Sequence, residues 1–102
     1  MGTRIIARAT LRGYAEAYPD ASGDLEDWYT LMSKSDFANF AELRNIVATA
    51  SLVNSEWLVF NIRGNRYRLI TRVHFGTKVI FVKDFLTHQA YDAWSDARRR
   101  ER

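Results

Sequence analysis

Cysteine is absent from this 102-residue chain. That excludes a disulfide scaffold, a zinc site built on thiolates and a thiol nucleophile, and it suits a reducing compartment. Proline occurs once, at Pro19, so little in the chain forbids continuous helices and strands. No apolar run reaches the roughly 20 residues that span a bilayer. The N-terminus lacks the charged start and apolar middle of a secretory signal. The expectation is a cytoplasmic protein with no membrane attachment. No repeat, long linker or obvious metal cluster stands out, so a single domain over residues 1–102 is expected, without metal or cofactor. What is present is 47% hydrophobic and 14% aromatic residues, which argues against disorder and for one modest core.

Charge is divided unevenly. Residues 1–56 carry 5 Lys/Arg against 8 Asp/Glu, a net of −3, and residues 57–102 carry 10 against 4, a net of +6. Positive charge gathered in one half is either a surface for a polyanion or a solvated basic face with no ligand. The tail from Arg98 to Arg102 is a short basic run, expected to fray; it either helps hold RNA or complements a helix C-terminus.

Apolar periodicity gives the elements. Thr3–Arg8 reads as a short strand. Leu11, Tyr14, Ala15 and Tyr18 form one helical stripe, which Pro19 ends. Ser22 or Asp24 caps a second helix reaching about Ser33, with Leu25, Trp28, Tyr29, Leu31 and Met32 apolar. Asp36 caps a short third helix, Phe37–Ile46, and Val47–Glu56 reads as an irregular connection. Three strands follow: Trp57–Ile62, Arg66–Phe75 and Lys78–Phe85. Gly64-Asn65 and Gly76-Thr77 are their turns. Thr87 caps a last helix from His88 to about Arg99. Trp28, Trp57 and Trp94 are most simply packing residues.

Two-residue turns fix a register. Asn61 and then Phe85 fall opposite Arg68, Lys83 opposite Ile70, and Val79 opposite His74. One face then carries Leu58, Phe60, Ile62, Tyr67, Leu69, Val73, Ile80 and Val82, and is apolar. The other carries Trp57, Asn61, Arg63, Arg66, Arg68, Arg72, His74, Phe81 and Lys83, and is basic with aromatics interleaved. A single-residue bulge would scramble this list.

VFNIRGNRYRLI (Val59–Ile70) and THQAYD (Thr87–Asp92), with RIIAR near the start and DLEDWY from Asp24, resemble the HigB toxins of type II toxin–antitoxin systems, within the RelE/ParE superfamily. The resemblance spans nearly the whole chain. It implies an α+β fold of order β-α-α-β-β-β-α: a small curved antiparallel sheet, helices packed on one face, and a C-terminal helix. It also implies a ribosome-dependent mRNA endoribonuclease that works without a metal. In such enzymes the ribose 2′-OH attacks the neighbouring phosphate to leave a 2′,3′-cyclic phosphate and a 5′-OH. The implied partners are the ribosome and mRNA and a HigA-type antitoxin with a helix-turn-helix domain. Operator DNA is reached only indirectly, through the antitoxin.

This chemistry needs proton carriers and cations, and the sequence supplies both residue types. Arg68 would contact phosphate through its fork of donors; otherwise it is a surface arginine on a half-solvated strand. Lys83 would steady the phosphate, or is simply exposed. His88 would be the general acid, as imidazoles titrate near neutrality, or it tethers the helix start. Tyr91 would stack on a base or assist proton transfer, or it packs the helix on the sheet. Asp92 orients or solvates. His74 is a rim residue, and Arg63, Arg66 and Arg72 contact backbone phosphate or ribosomal RNA, or serve solubility. Two other classes stay open: a non-catalytic RNA- or ribosome-binding module, and a ParE-like gyrase inhibitor, since fold does not settle function.

Overall fold

The computed structural model describes residues 2–6 and 8–100, without the side chains of Arg8 and Ala9. Strand β1 (Arg4–Ile6) leads to helix α1 (Arg8–Ala17), a 3-10 turn (Pro19–Ala21), α2 (Ser22–Lys34) and α3 (Phe40–Ile46). Strands β2 (Ser51–Val53), β3 (Trp57–Ile62), β4 (Tyr67–His74) and β5 (Val79–Thr87) follow, and α4 (His88–Arg100) closes the chain. The strands form one sheet in the order β1-β5-β4-β3-β2. The sheet is mixed, not wholly antiparallel: β2 to β5 form an antiparallel meander, and β1 lies parallel to β5. The first strand is shorter than its apolar run, because Arg8 already opens α1; Ala7 lies outside the described residues, as do Glu101 and Arg102 of the basic tail.

The helical stripes behave as their spacing dictates. Leu11 of α1 and Leu25, Trp28 and Met32 of α2 are buried, and Tyr14, Ala15, Tyr18 and Tyr29 pack against the same cluster. Leu31, expected with them, is instead 44% exposed. Two caps differ from expectation. The residue before α2 is Ala21, which offers no side-chain acceptor, so neither Ser22 nor Asp24 caps it; Asp24 sits in the first turn, where the helix dipole favours an acid. At α3 the cap is Asn39, whose Oδ1 accepts from the Glu42 N–H at 2.9 Å while Glu42 Oε1 accepts from the Ala38 N–H at 2.8 Å. This reciprocal pair satisfies two free donors and starts the helix at Phe40. Asp36 is taken by Lys78, at 2.6 Å. The expected cap at Thr87 is made: Ala90 N–H donates to Thr87 Oγ1 at 3.2 Å.

The segment expected to be irregular contains β2, which pairs Ser51, Leu52 and Val53 with Val59, Leu58 and Trp57. Asn54 and Ser55 turn the chain between them with φ of 56° and 58°. In the next hairpin Gly64 takes φ 62°, as its missing Cβ allows, while Arg63 also goes left-handed at 58°.

The register holds on β3–β4 (Asn61 opposite Arg68) and at the far end of β5 (Val79 opposite His74). Between them it slips. Ile70 faces Asp84 and Thr71 faces Val82, so Lys83 is left without a cross-strand partner. This bulge corrects two expected pairs. Arg68 lies opposite Leu86, not Phe85, and Ile70 opposite Asp84, not Lys83. The physical reason is burial. One extra residue resets the alternation so that Phe85 joins Ile80 and Val82 in the helix-side core and Leu86 turns to the other face.

Each face has its own cover. The inner face, with Leu58, Phe60, Ile62, Tyr67, Leu69, Ile80, Val82 and Phe85, packs against α1, α2 and the segment around Phe37 and Leu43. Helix α4 crosses the outer face, where Val53, Val59 and Ile70 pack with Trp57, Leu86, Tyr91 and Trp94. It is pinned at its far end by the Asn54 side-chain amide, which donates to the Arg98 carbonyl. The outer face is therefore open to solvent only where α4 does not lie.

Candidate functional site

Helix α4 starts where it does because Thr87 ends β5 and caps it. The His88 N–H then donates to the Arg66 carbonyl at 3.0 Å, tying the helix start to the β3–β4 hairpin. Arg68, the second residue of β4, points outward beneath this helix. Its guanidinium carbon lies 5.4 Å from the centre of the Tyr91 ring.

Arg68 is only 9% exposed. Its Nη1 donates to the Asn65 and Tyr67 carbonyls at 3.2 and 3.1 Å, and its Nη2 to Asn65 Oδ1 at 3.2 Å. No carboxylate pairs with it among the described residues. Burying a charge is costly unless it is hydrogen-bonded; neutral oxygens supply the bonds but leave the charge uncancelled. The result is a fixed cation suited to an anion such as phosphate.

His88 and Tyr91 stand on the first turn of α4. His88 Nδ1 is 3.6 Å from Asp92 Oδ2, one helical turn on. Tyr91 is half-buried and stacked on Trp94, with ring centres 5.8 Å apart; it packs the helix on the sheet and flanks Arg68 at once.

Lys83 does not share the recorded contacts of that cluster. Its Nζ lies 5.7 Å from the centre of the Phe81 ring. With Glu56, Arg72, Val73, His74 and Phe81 it lines a shallow groove of about 400 Å³ toward the other end of the outer face. Arg72 pairs with Glu56, and its guanidinium carbon lies over the Trp57 ring, 4.4 Å from the ring centre. Arg98 sits 5.6 Å from Trp57, whose edge meets Trp94. The His74 imidazole is engaged by its own turn, with Nδ1 3.3 Å from the Thr77 N–H and 2.9 Å from the Thr77 hydroxyl.

Two arginines expected on the basic face lie elsewhere. Arg66 reaches back to Asp20 at 2.9 Å, on the helix side of the sheet. Arg63, in the left-handed turn, stands on the lip of a separate cleft with Asp24, Asp27, Trp28 and Leu31. The turn rotates both out of the strand alternation.

The groups whose titration is shifted belong to these supporting contacts. Hydrogen bonds from Arg66 and Tyr67 hold Asp20 below the ordinary carboxylate range. Burial, then the bond to Asp20, raises the Tyr67 phenol. Burial and then the Asp84 charge raise Tyr14, and the Lys78 bond lowers Asp36. Among the described residues no three His, Asp or Glu side chains converge as metal ligands, and no helix is long and apolar enough to cross a membrane.

Two residues of this surface carry more than the sequence reading assigned them. Asn65, read only as a turn residue, supplies two of the three recorded bonds that orient Arg68. Phe81 is 39% exposed beside Lys83. The GN turn placed three residues before a strand arginine was the available signal for the first.

A fold of this order, with a buried, unneutralised arginine under a C-terminal helix, defines a small RelE-like α+β protein. Residues 21–94 match the family model of HigB_toxin, described as the RelE-like toxic component of a toxin–antitoxin system. The chain is 32% identical over 92 residues to the mRNA interferase HigB of Escherichia coli O6:H1, covering 86% of this chain and 87% of that protein. It is 27% identical over 99 residues to the mRNA interferase toxin HigB of Escherichia coli K12, covering 93% of each. A mRNA interferase HigB of Shigella flexneri matches with the same figures. The chain belongs to the HigB toxin family, and its partner class is an antitoxin.

Proposed function

We propose that this toxin is an mRNA interferase that cuts mRNA in the ribosomal A site by attack of a ribose 2′-OH on the adjacent phosphate. The observation that carries the reading is Arg68: a nearly buried guanidinium, oriented by neutral oxygens, with no carboxylate to cancel it among the described residues. Family membership and the names of the relatives support the same activity.

In the reaction the 2′-oxygen bonds to phosphorus as its proton passes to water or to a basic side chain of the site, the bond from phosphorus to the 5′-oxygen breaks, and that oxygen takes up a proton. Arg68 and Lys83 offset the charge that builds on the phosphoryl oxygens. His88 donates the proton to the leaving oxygen, and Asp92, 3.6 Å away, positions the imidazole. Tyr91, flanking Arg68, assists proton transfer or stacks on a base. Arg72 and His74 line the RNA path, and Arg63 and Arg66 meet backbone phosphate or ribosomal RNA at the hairpin rim. No step calls on a metal or a cofactor. A HigA-type antitoxin with a helix-turn-helix domain neutralises the toxin, and operator DNA is bound through that antitoxin. A site in the translating ribosome places the toxin in the cytoplasm.

Purified toxin added to ribosomes programmed with a short mRNA tests this. The expected products end in a 2′,3′-cyclic phosphate and begin with a 5′-OH. Products with a 5′-phosphate would contradict the mechanism, and intact mRNA would contradict the nuclease.

A further inference from the structure

The groove beyond Lys83 is built differently from a solvated basic face. On the outer side of the sheet Ile6 of β1 is opposite Phe81 of β5, and Phe81 is opposite Arg72 of β4. Arg72 in turn lies on Trp57 of β3 at 4.4 Å. The four residues form one row across four strands. Ile6 and Phe81 are 36% and 39% exposed, although Ile5 between Arg4 and Ile6 packs into the inner core as alternation requires. Scattered exposed apolar residues need no explanation. Two adjacent ones flanked by cations form a patch with a chemical character. Lys83 Nζ stands 5.7 Å from the Phe81 ring centre, and the bulge that leaves Lys83 without a strand partner keeps it on this side. The Arg72 Nε is buried with no acceptor.

An open aromatic face bordered by a lysine and an arginine fits one nucleotide of single-stranded RNA. The base stacks on the ring, and the cations meet the phosphates on either side. Arg72 is held by Glu56, a carboxylate that an RNA phosphate would displace, and a protein partner would have to leave Lys83 solvated or bring a carboxylate to it. RNA supplies a π-face and flanking anions together, at the spacing of its own backbone. We infer that Phe81 is the stacking platform for a nucleotide flanking the scissile phosphate, with Lys83 and Arg72 gripping its phosphates. This rests on the nuclease reading above and adds to it a residue that selects and positions substrate without entering the chemistry.

The test is cleavage kinetics on programmed ribosomes with wild type, Phe81→Ala, Phe81→Leu and Phe81→Trp. Each mRNA is also made with a single abasic nucleotide at successive positions around the cut. Phe81 is partly exposed, so all three variants are expected to fold, and thermal melting checks this. Expected is a drop in kcat/KM of about tenfold for Phe81→Ala and Phe81→Leu, carried by KM, with Phe81→Trp near wild type. One abasic position lowers wild-type kcat/KM by a similar factor and adds nothing to Phe81→Ala. Unchanged kinetics in Phe81→Ala and Phe81→Leu while wild type cuts would overturn the stacking site and leave the nuclease standing. So would cutting that is unchanged while neutralisation by the antitoxin is lost, which would make the row a protein-docking surface. Wild type that leaves the mRNA intact would overturn both.

Discussion

The two faces of the sheet are covered in opposite ways. The inner face meets three helical segments and buries a continuous set that includes Leu25, Met32, Phe37, Leu43, Phe60, Leu69 and Ile80. The outer face meets one helix, and its fully buried apolar residues among those described are Val53, Val59 and Ile70. The inner face has little room for charge. The outer face keeps Arg68 nearly buried without an acid and leaves Phe81 and Lys83 open. Most of the apolar burial that stabilises the fold comes from the first face, and the second is where charge and ring faces remain for a ligand. A residue's effect should therefore depend on which way its side chain points, even for neighbours in sequence.

The sharpest break of this contrast is Phe60→Ala. Phe60 has no exposure and meets Trp28 edge-on at 5.2 Å. Loss of its ring should cost about 3–5 kcal/mol, and chemical denaturation should show it directly, with activity falling only as the folded fraction falls. Arg68→Ala should do the reverse: cleavage lower by on the order of 10²-fold or more, with the far-UV spectrum retained. Arg68→Lys should recover little, since a point charge cannot reproduce the fork. A melting curve beside a cleavage assay separates the two classes.

A smaller effect is expected at the start of α4. Thr87→Ala removes the acceptor of the Ala90 N–H and should cost about 1 kcal/mol. It should also lower cleavage, because the same cap sets where His88 stands; Thr87→Ser should restore both. The smallest effect concerns Asp20. Its carboxyl titrates below its ordinary value because Arg66 and Tyr67 bond it. A folded value below the unfolded one means the contribution is present at neutral pH and is lost as pH falls through the acidic range toward the folded value. Asp20→Asn should therefore lower the melting temperature slightly at pH 7, and by less at an acidic pH below the ordinary carboxylate range. A constant difference at both pH values would assign the effect to shape alone.

Much of this contrast was legible in the residues. Alternation along Trp57–Ile62 and Tyr67–His74 separated the faces, and the GN and GT turns set a register that holds at both ends of the meander. The slip at Lys83 was not read, although Val82 and Phe85, both apolar and three apart, are the trace a bulge leaves. Nor was the cover over the outer face. Val59 and Ile70 fall there by the same alternation and needed an apolar partner, which Tyr91 and Trp94 on α4 supply. Strand β2 has three residues, too few for a period to show, and the parallel β1–β5 pairing leaves no local mark at all. Arg63 and Arg66 escaped because a turn with φ of 58° and 62° breaks the alternation that placed them.

The most direct test of the account is 5′-end mapping of cellular mRNA after brief induction of the toxin, with wild type beside Arg68→Ala and His88→Ala, each shown by melting to be folded. The account predicts codon-phased new ends bearing 5′-OH in wild type and their loss in both variants. Growth arrest with mRNA intact, or cuts that persist undiminished when Arg68 and His88 are gone, would contradict it.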